Sequence, residues 1–279
     1  MTITFRPLSD HTGTEAIGID LRRTPDAATR RALNAAFVEH SVLVVRDQNL
    51  SPHEMVTAVE LLGDIFEQHN QRFQLPDCPQ IHYISNQDHY PDGTRYIPGA
   101  GYHTDHSNDA TPPKATVLHA VKLPDQGGDT QYVNMHAAYD GLSDTMKARL
   151  QGLRGRHVYQ SRFSKRKLMN LPKGRAHEIT TSVLHPLVRT HPESGRKALY
   201  INPIRIEAID GMAETTALDL LGELLAHATQ EKYQYRHNWR RGDLVFWDNR
   251  CLMHKANGDY DHSQERYLYR VMLKGDKPV

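Results

Sequence analysis

The first quarter of the chain combines helical and strand-like patterns of apolar side chains. Residues 26–40 (DAATRRALNAAFVEH) carry apolar side chains at helical spacing, which predicts an amphipathic helix. The β-branched run SVLVV at 41–45 predicts a buried strand directly after this helix. A capping box at 51–54, with Pro52 at the first helical position, predicts a second helix that ends at Gly63.

Later in the chain, strand patterns follow at short intervals, and only two further helices are predicted, at 136–153 and 213–229. Strand patterns are found in QIHYIS (80–85), ATVLHAVKL (115–123), DTQYVNM (129–135), both halves of HPLVRTHPESGRKALYIN (185–202), YQYRHNW (233–239), DLVFWDN (243–249) and RYLYRVML (266–273). Because no regular crossover helices separate these strands, a doubly wound sheet is not favoured. We expect a mainly β fold with flanking helices and a double-stranded β-helix (jelly roll) core. Residues 1–279 are expected to form a single domain, with a helix-rich N-terminal part over about 20–65.

The charge balance and the cysteine count argue against several classes of protein. The 279 residues include 34 Lys and Arg against 33 Asp and Glu, a formal charge of +1, so no nucleic-acid partner is expected. A membrane span needs about 20 apolar residues, and the longest apolar run has four. Two cysteines, Cys78 and Cys251, cannot form a disulfide framework in a chain of this length, which favours a reducing cytoplasm. These features favour a cytoplasmic protein with no membrane partner, in which both cysteines are structural. A homo-oligomer is also expected.

Eighteen histidines are an unusually high number and justify a search for metal-ligand spacing. Two imidazoles and one carboxylate form the facial triad of non-haem Fe(II) enzymes, and a His-x-acid pair on a strand supplies two of them on one side. About two such pairs are expected by chance among 18 His and 33 acids, and two occur. His191-Pro192-Glu193 has the residues of a hairpin turn, whereas His103-Thr104-Asp105 contains no strand breaker. We therefore favour His103 and Asp105 as ligands.

Four blocks of the sequence, taken in order, resemble one known family. They are GYHTDHSNDATPPKATVLHAVKLPDQGGDT (101–130), HPLVRTHPESGRKALYIN (185–202), WDNRCLMHKANGDY (247–260) and ERYLYRVMLKGDKP (265–278). These blocks are similar to the signatures of the TauD/TfdA family of Fe(II)- and 2-oxoglutarate-dependent dioxygenases, which includes taurine dioxygenase and phenoxyacetate dioxygenase. SVLVVRDQNLS also resembles the N-terminal region of the family, so the similarity covers nearly the whole chain.

The resemblance implies a cofactor and a cosubstrate, each with its own residues. His103, Asp105 and His254 match the Fe(II) ligands of the family. Thr130 and Arg266 match the residues that bind the distal carboxylate of 2-oxoglutarate, and the two-pronged guanidinium suits that task. The implied reaction consumes 2-oxoglutarate and O2 and hydroxylates a C–H bond of a small organic substrate. Because Asp105 is present, hydroxylation is expected rather than the halogenation of relatives that lack this carboxylate.

The substrate is expected to be a small anion. Arg270 lies four residues after Arg266, on the same side of a strand, and matches the arginine that binds the anionic head of the substrate. Tyr102, where relatives have Trp, and His69 are further candidates for substrate contact. The stretch GAG before Tyr102 is less polar than in the taurine enzyme, which favours a carboxylate such as an aryloxyalkanoate over a sulfonate. The basic stretch 162–175 is either a lid over the entrance or a solvated loop.

Other interpretations of the same residues remain open. The chain could be a taurine or alkylsulfonate dioxygenase, or a Zn hydrolase that uses the same ligands and a bound water. It could also be a jelly-roll binding protein without activity, whose histidines are incidental. Asp248 and Asn249, beside Trp247, are expected to stabilise a turn or to support the ligands rather than to react.

Overall fold

A computed structural model describes residues 3–68, 71–90, 92–164 and 182–279 of this chain. The strands are β1 (Thr4–Pro7), β2 (Thr14–Ile17), β3 (Val42–Val45), β4 (Gln74–Leu75), β5 (Cys78–Ser85), β6 (Ala115–Lys122), β7 (Thr130–Asn134), β8 (Arg154–Val158), β9 (Ser182–Pro186), β10 (Val188–Thr190), β11 (Lys197–Leu199), β12 (Ile206–Ile209), β13 (Gln234–His237), β14 (Leu244–Asp248), β15 (Leu252–Ala256) and β16 (Tyr267–Leu273). The helices are α1 (Ala27–His40), α2 (Pro52–Val59), α3 (Met135–Asp140), α4 (Asp144–Leu150) and α5 (Glu214–Ala228). The fold is therefore mainly β, as the sequence predicts.

The strands form one large sheet and three small ones. The large sheet has eight strands in the order β1-β2-β3-β14-β6-β16-β5-β4, and all its pairs except the parallel β2–β3 pair are antiparallel. A three-stranded sheet in the order β13-β7-β15 contributes to the core that covers one side of it. The remaining sheets are β12-β8-β9 and the hairpin β10-β11. In chain order, the central neighbours β14, β6, β16 and β5 are far apart, so this sheet forms only when distant segments meet.

Alternation along the strands of the large sheet divides the apolar side chains between two cores. Val42 and Val44 on β3 belong to the core shared with the three-stranded sheet. Leu43 and Val45 belong to the second core, which α1 and α2 cover with residues such as Phe37. Both faces of β3 are buried, which explains why its sequence is continuously apolar rather than alternating.

The two helices predicted from the N-terminal sequence are confirmed as α1 and α2. The structure adds a cap to α1, where the side chain of Asp26 accepts from the amide of Thr29 at 2.7 Å. In α2, both hydrogen bonds of the capping box between Ser51 and Glu54 are formed, and a short 3-10 turn ends at Gly63 with a φ of 148°. The predicted helix at 213–229 is confirmed as α5.

Two local predictions are corrected by the structure. The single helix expected at 136–153 is the pair α3 and α4, because the chain turns at Gly141, where the Tyr233 hydroxyl would lie 1.9 Å from a Cβ, and Ser143 caps α4. Strand β15 was not predicted, although it carries His254. The turn expected between two strands within 185–202 is confirmed, since β10 and β11 pair across it.

None of the helices in the described part of the chain is both long enough and apolar enough to cross a membrane. Both cysteines are buried and unbridged, in agreement with the structural role expected for them.

Candidate functional site

Three of the predicted residues meet where the segment after residue 101 pairs with β15. The amide of His103 donates to the carbonyl of His254 at 3.0 Å, and the amide of His254 donates to the carbonyl of His103 at 2.8 Å. Nε2 of His103 lies 3.6 Å from Oδ1 of Asp105, and Nε2 of His254 lies 3.7 Å from its Oδ2. One ligand atom of each residue lies within 4.8 Å of the other two. We call His103, Asp105 and His254 the triad.

The surroundings of the two imidazoles orient their Nε2 atoms toward Asp105. Nδ1 of His103 lies 2.7 Å from the carbonyl oxygen of Gly101 and donates to it, so Nε2 carries the lone pair. The ring of His254 packs against that of Trp247, with centroids 4.6 Å apart. Burial, and then the charge of His103, lowers the pKa of His254 to about 3, so this ring is neutral at pH 7.

The carboxylate of Asp105 is ionised although it is buried. Burial alone would raise its pKa, but His254, His103, Arg270 and the hydroxyl of Thr116 lower it more, so the pKa lies well below its usual range. Oδ1 accepts no hydrogen bond from the residues that the structure describes. A neutral imidazole and an ionised carboxylate are the protonation states that a divalent metal ion requires. Two histidines and one carboxylate fit Fe(II) with open coordination positions.

A chain of hydrogen bonds supports Asp105 from behind. The hydroxyl of Thr116, on β6, donates to Oδ2 of Asp105 at 2.7 Å. Nδ2 of Asn249 donates to the same hydroxyl at 2.9 Å, and Oδ1 of Asn249 accepts from Nε1 of Trp247 at 3.2 Å. Thr116, Asn249 and Trp247 are at most 2% exposed. Each donor in this series of hydrogen bonds has one acceptor, so the series holds the Asp105 carboxylate in one orientation.

Arg266 is a buried cation without a carboxylate partner among the described residues. It is 6% exposed, and its Nε donates to the carbonyl of Gly128 at 2.9 Å. Burial lowers its pKa. A Cβ at Gly128, whose φ is +71°, would lie 3.2 Å from the Arg266 side chain, so this glycine allows the close approach. Thr130 is buried on β7, and its hydroxyl accepts from Nε1 of Trp239 at 3.0 Å.

A small pocket lies against the side chain of Arg266. It is lined by Ile84, Ser85, Asn86, Ile97, Pro98, Ala256, Asn257 and Tyr260 together with Arg266. Ala256 is two residues after His254 on β15 and therefore points to the same side of that strand. A buried guanidinium at the wall of a pocket is suited to bind a carboxylate.

The charge of Arg270 acts on Asp105 and His254 of the triad. On β16, Arg270 is paired with Leu118 of β6 and with His82 of β5. Its Nη2 donates to Oε1 of Gln68 at 2.5 Å, and its charge acts on Asp105. The two arginines thus present one cation near the pocket and a second one near the triad.

Tyr102 is not part of this group. Its hydroxyl donates to Oε1 of Gln234 on β13 at 3.0 Å, and Nζ of Lys255 lies 4.8 Å from its ring centroid. Lys255 follows His254 on β15 and points to the opposite side of that strand. The structure therefore places Tyr102 behind the strand that carries His254.

Two other sequence predictions fall largely outside the described residues. His69 is not among them, and of the basic stretch 162–175 only residues 162–164 are described. Arg162 forms an ion pair with Glu214 on α5. The lid and the substrate role of His69 remain predictions.

His191 lies in the turn that the sequence predicts, but it is fully buried there. Its Nε2 lies 3.0 Å from Oδ2 of Asp248, and its Nδ1 accepts from the amides of Glu193 and Ser194. Arg250 binds both oxygens of the same carboxylate. We call His191, Asp248 and Arg250 the closed cluster.

Sequence reasoning missed two residues of this site. Thr116 lies two positions before Leu118 in ATVLHAVKL, so strand alternation alone would have put it on the inner face. Nothing in the sequence would have paired Trp239 with Thr130, because their contact depends on how β13 and the residues after it lie beside β7.

Comparison with known proteins is consistent with this geometry. A family model described as "Taurine catabolism dioxygenase TauD, TfdA family" matches residues 4–272. The alpha-ketoglutarate-dependent 2,4-dichlorophenoxyacetate dioxygenase of Cupriavidus pinatubonensis is 33% identical over 100% of both chains. An alpha-ketoglutarate-dependent sulfate ester dioxygenase of Pseudomonas putida is 31% identical, over 100% of this chain and 92% of its own. The crystal structure of AAD-2 in complex with Mn(II) and N-oxalylglycine has a TM-score of 0.85 and 29% identity, covering 100% of this chain and 99% of its own.

Proposed function

This chain belongs to the TauD, TfdA family and is a 2-oxoglutarate-dependent (alpha-ketoglutarate-dependent) dioxygenase, and we propose that it uses Fe(II) to hydroxylate a small anionic organic substrate. A carboxylate such as an aryloxyalkanoate is preferred over a sulfonate. The observation that carries the proposal is the convergence of two imidazoles and one carboxylate within 4.8 Å. We further propose that residues 1–279 act as one domain whose facing sheets form a double-stranded β-helix.

The triad holds the metal ion in this proposal. Nε2 of His103, Nε2 of His254 and the carboxylate of Asp105 are its ligands, and Thr116 keeps the carboxylate in place through its hydroxyl. When bound, Fe(II) with 2-oxoglutarate and O2 supplies the oxidising chemistry that converts a C–H bond to C–OH, with succinate and CO2 as coproducts. The protein positions the target bond and excludes water from the buried site.

Arg266 and Thr130 bind the distal carboxylate of 2-oxoglutarate. Arg266 is buried, lacks a carboxylate among its described neighbours and borders the pocket beside β15. Its guanidinium donates two parallel hydrogen bonds to a carboxylate more readily than a lysine could. The similar structure contains Mn(II) and N-oxalylglycine, a dicarboxylic acid like 2-oxoglutarate, which supports a site for a dicarboxylic keto acid beside a divalent metal ion.

Arg270 binds the anionic head of the substrate beside the triad. Its charge acts on Asp105, but it forms no ion pair with a carboxylate of the described residues, so an incoming anion can pair with it. The sequence GAG at 99–101, less polar than in the taurine enzyme, supports a bulky or weakly polar body. Gly99, with a φ of +77°, lets the loop pass close to the His103 ring, from which a Cβ would lie 3.3 Å away. The relative named for 2,4-dichlorophenoxyacetate supports a carboxylate, and the relative named for sulfate esters supports the general need for an oxyanion.

Anaerobic addition of Fe(II) and 2-oxoglutarate tests the assignment of the metal and the cosubstrate. An oxygenase of this kind develops the visible charge-transfer absorption of an Fe(II)–keto-acid chelate. A Zn hydrolase or a binding protein without activity would remain colourless under the same conditions. Absence of the band at saturating Fe(II) and 2-oxoglutarate would overturn the proposed role of the triad.

Succinate formation tests the substrate class. A panel of aryloxyalkanoates, alkyl sulfates and taurine ranks the head groups, and the best acid is then compared with its methyl ester. Removing the anionic group should cost on the order of 2 kcal/mol, or about 30-fold at low substrate concentration, because Arg270 is left desolvated and unpaired. Equal rates for acid and ester would remove the anion-binding role of Arg270.

A further inference from the structure

His82 is a buried histidine that none of the roles above uses. It lies in the middle of β5, is 1% exposed, and neither of its ring nitrogens has a hydrogen-bond partner within the described ranges. Buried polar atoms are normally satisfied, so a pair of unsatisfied ring nitrogens requires an explanation. Burial, and then the charge of Arg270, lowers the pKa of His82 to about 3, so the ring is neutral and can donate one N–H.

His82 and Arg270 lie side by side on the inner face of the large sheet. They are paired in register on the antiparallel strands β5 and β16. Paired residues project to the same side of a sheet with their Cβ atoms about 5 Å apart. The same face carries Thr116, which contacts Asp105. The imidazole of His82 therefore lies on that face beside Arg270, whose strand β16 stands between β5 and the strand β6 of Thr116.

Gln68 completes this group with a third side chain. Its Oε1 accepts from Nη2 of Arg270 at 2.5 Å, which places its amide directly beside the guanidinium. Gln68 is 9% exposed, and its Nε2 is buried without a partner, as is Nε of Arg270. His82, Gln68 and the cationic Arg270 thus each carry an N–H group that donates no hydrogen bond to a described residue. Several N–H donors around one positive charge match an oxyanion with two or more oxygens.

We propose that His82 and Gln68 form, together with Arg270, the subsite that binds the oxyanion of the prime substrate, each donating an N–H to an oxygen that pairs with the guanidinium. The assignment rests on the proposed function and makes His82 and Gln68 residues that determine specificity. Carboxylate, sulfate and sulfonate heads share the required chemistry. His82 distinguishes a charged head from its ester, because a neutral donor that remains unpaired in the complex weakens binding.

The test compares His82→Phe, which removes both ring nitrogens at similar size, with His82→Gln, which retains an N–H donor. His119→Phe is the matched control: His119 is 5% exposed, lies on neighbouring β6, and belongs to the opposite face of the same sheet. One of its ring nitrogens bonds the carbonyl of Gln48 at 2.7 Å, and the other is unpartnered. The probes are 2,4-dichlorophenoxyacetate, octyl sulfate, taurine and the methyl ester of the first.

We expect His82→Phe to raise KM for the preferred anionic probe by about 10- to 100-fold, the value of one hydrogen bond to a charged group. The kcat should change by a few-fold at most, and the Fe(II)–2-oxoglutarate absorption should stay unchanged. His82→Gln should recover most of the affinity. His119→Phe should lower Tm and leave KM unaltered. The head group whose KM responds identifies the oxyanion.

An unchanged KM in His82→Phe, with KM still raised in Arg270→Ala, would overturn the role of His82. A response to His82→Phe that is equally large for the acid and the ester would also overturn it, because the lost contact would then not be to the oxyanion. If none of the anionic probes is oxidised by a wild-type protein that shows the Fe(II)–2-oxoglutarate absorption, the oxyanion assignment fails while the proposed cofactor chemistry stands. If the absorption itself is missing, the proposed function fails first.

Discussion

The triad and the closed cluster both bring histidine and aspartate together in the protein interior, yet they are built in opposite ways. The ligand atoms of the triad lie close enough together to hold a metal ion, and so do those of His191 and Asp248 with Cys251. In the triad, both Nε2 atoms stand 3.6 to 3.7 Å from the carboxylate, beyond hydrogen-bond distance. In the closed cluster, Nε2 of His191 is 3.0 Å from Asp248, and Arg250 binds both oxygens of that aspartate.

The arginines show the same difference. Arg250 is 1% exposed and bonds both Asp248 and Glu193, so its charge is neutralised within the protein. Burial would lower its pKa, but these carboxylates raise it above the usual value. Arg266 is also buried, at 6% exposed, and burial lowers its pKa more than the nearby charges, Asp129 among them, raise it. Residue types and burial alone therefore do not mark a binding site. What separates these two groups is the charge and hydrogen-bonding capacity that folding leaves unpaired beside the triad.

The largest difference between the two groups should appear when each loses a histidine. His103→Ala, or Ala at Asp105 or His254, should abolish Fe(II)-dependent succinate formation and the Fe(II)–2-oxoglutarate absorption, because the metal loses a ligand. Circular dichroism should remain that of the folded protein. His191→Ala should retain the absorption in its folded fraction. If His191→Ala removes the absorption and His103→Ala does not, the assignment of the two groups is reversed.

Removing the cation from the closed cluster should lower the free energy of unfolding. Arg250→Leu leaves Asp248 charged, buried and without its main partner, which should cost about 3–5 kcal/mol in the free energy of unfolding. Urea unfolding measures this loss. Arg149→Leu is the control, since its ion pair with Glu223 joins two largely exposed side chains and should contribute at most about 1 kcal/mol. A similar small loss in both variants would contradict the conclusion that Arg250 and Asp248 form a buried, fully hydrogen-bonded ion pair.

Removing Arg266 or Arg270 should weaken ligand binding instead of destabilising the fold. Arg266→Ala should raise the 2-oxoglutarate concentration needed for half-saturation by about 30-fold to several-thousand-fold, or about 2–5 kcal/mol, since the carboxylate loses its charge partner. Titration of the anaerobic Fe(II) protein with 2-oxoglutarate measures this effect. Arg270→Ala should leave that titration within a few-fold and weaken the prime substrate. An exchange of the two phenotypes would reverse the roles of the arginines.

The smallest expected effect comes from removing the hydroxyl of Thr116 that supports Asp105. Thr116→Val keeps the shape of the side chain and removes the hydroxyl that donates to Oδ2. Loss of such a supporting contact should weaken Fe(II) binding by about 10- to 100-fold. Thr116→Ser, which keeps the hydroxyl, serves as the control and should bind Fe(II) nearly as well as the wild type. Equal losses in both variants would assign the effect to packing.

Local elements were predictable where the sequence carries its own signals. The capping box at 51–54 and Pro52 mark a helix start through contacts made within a few residues, and α2 begins where they predict. Apolar spacing predicted α1 over 26–40. The predicted helix at 136–153 was wrong because its apolar spacing continues through Gly141, where packing against Tyr233 ends α3. Strand β15 could not be recognised, because it is extended through pairing with β7 rather than through an alternating pattern of its own.

By itself, the sequence determined that His103 and Asp105 are separated by one residue and that His191 lies in a turn. It did so because these relations depend on neighbouring residues. The sequence also predicted Arg266 and Arg270 on one side of a strand, but Arg266 precedes β16, and a bulge between Tyr267 and Leu268 interrupts the alternation against β6. Only the tertiary structure decided that His254 reaches Asp105, that Thr116 and Asn249 support it, and that Arg250 closes the other cluster. The physical reason is that the hydrogen bonds and charges satisfying a buried side chain come from segments distant in sequence, and these contacts exist only once the sheets have formed.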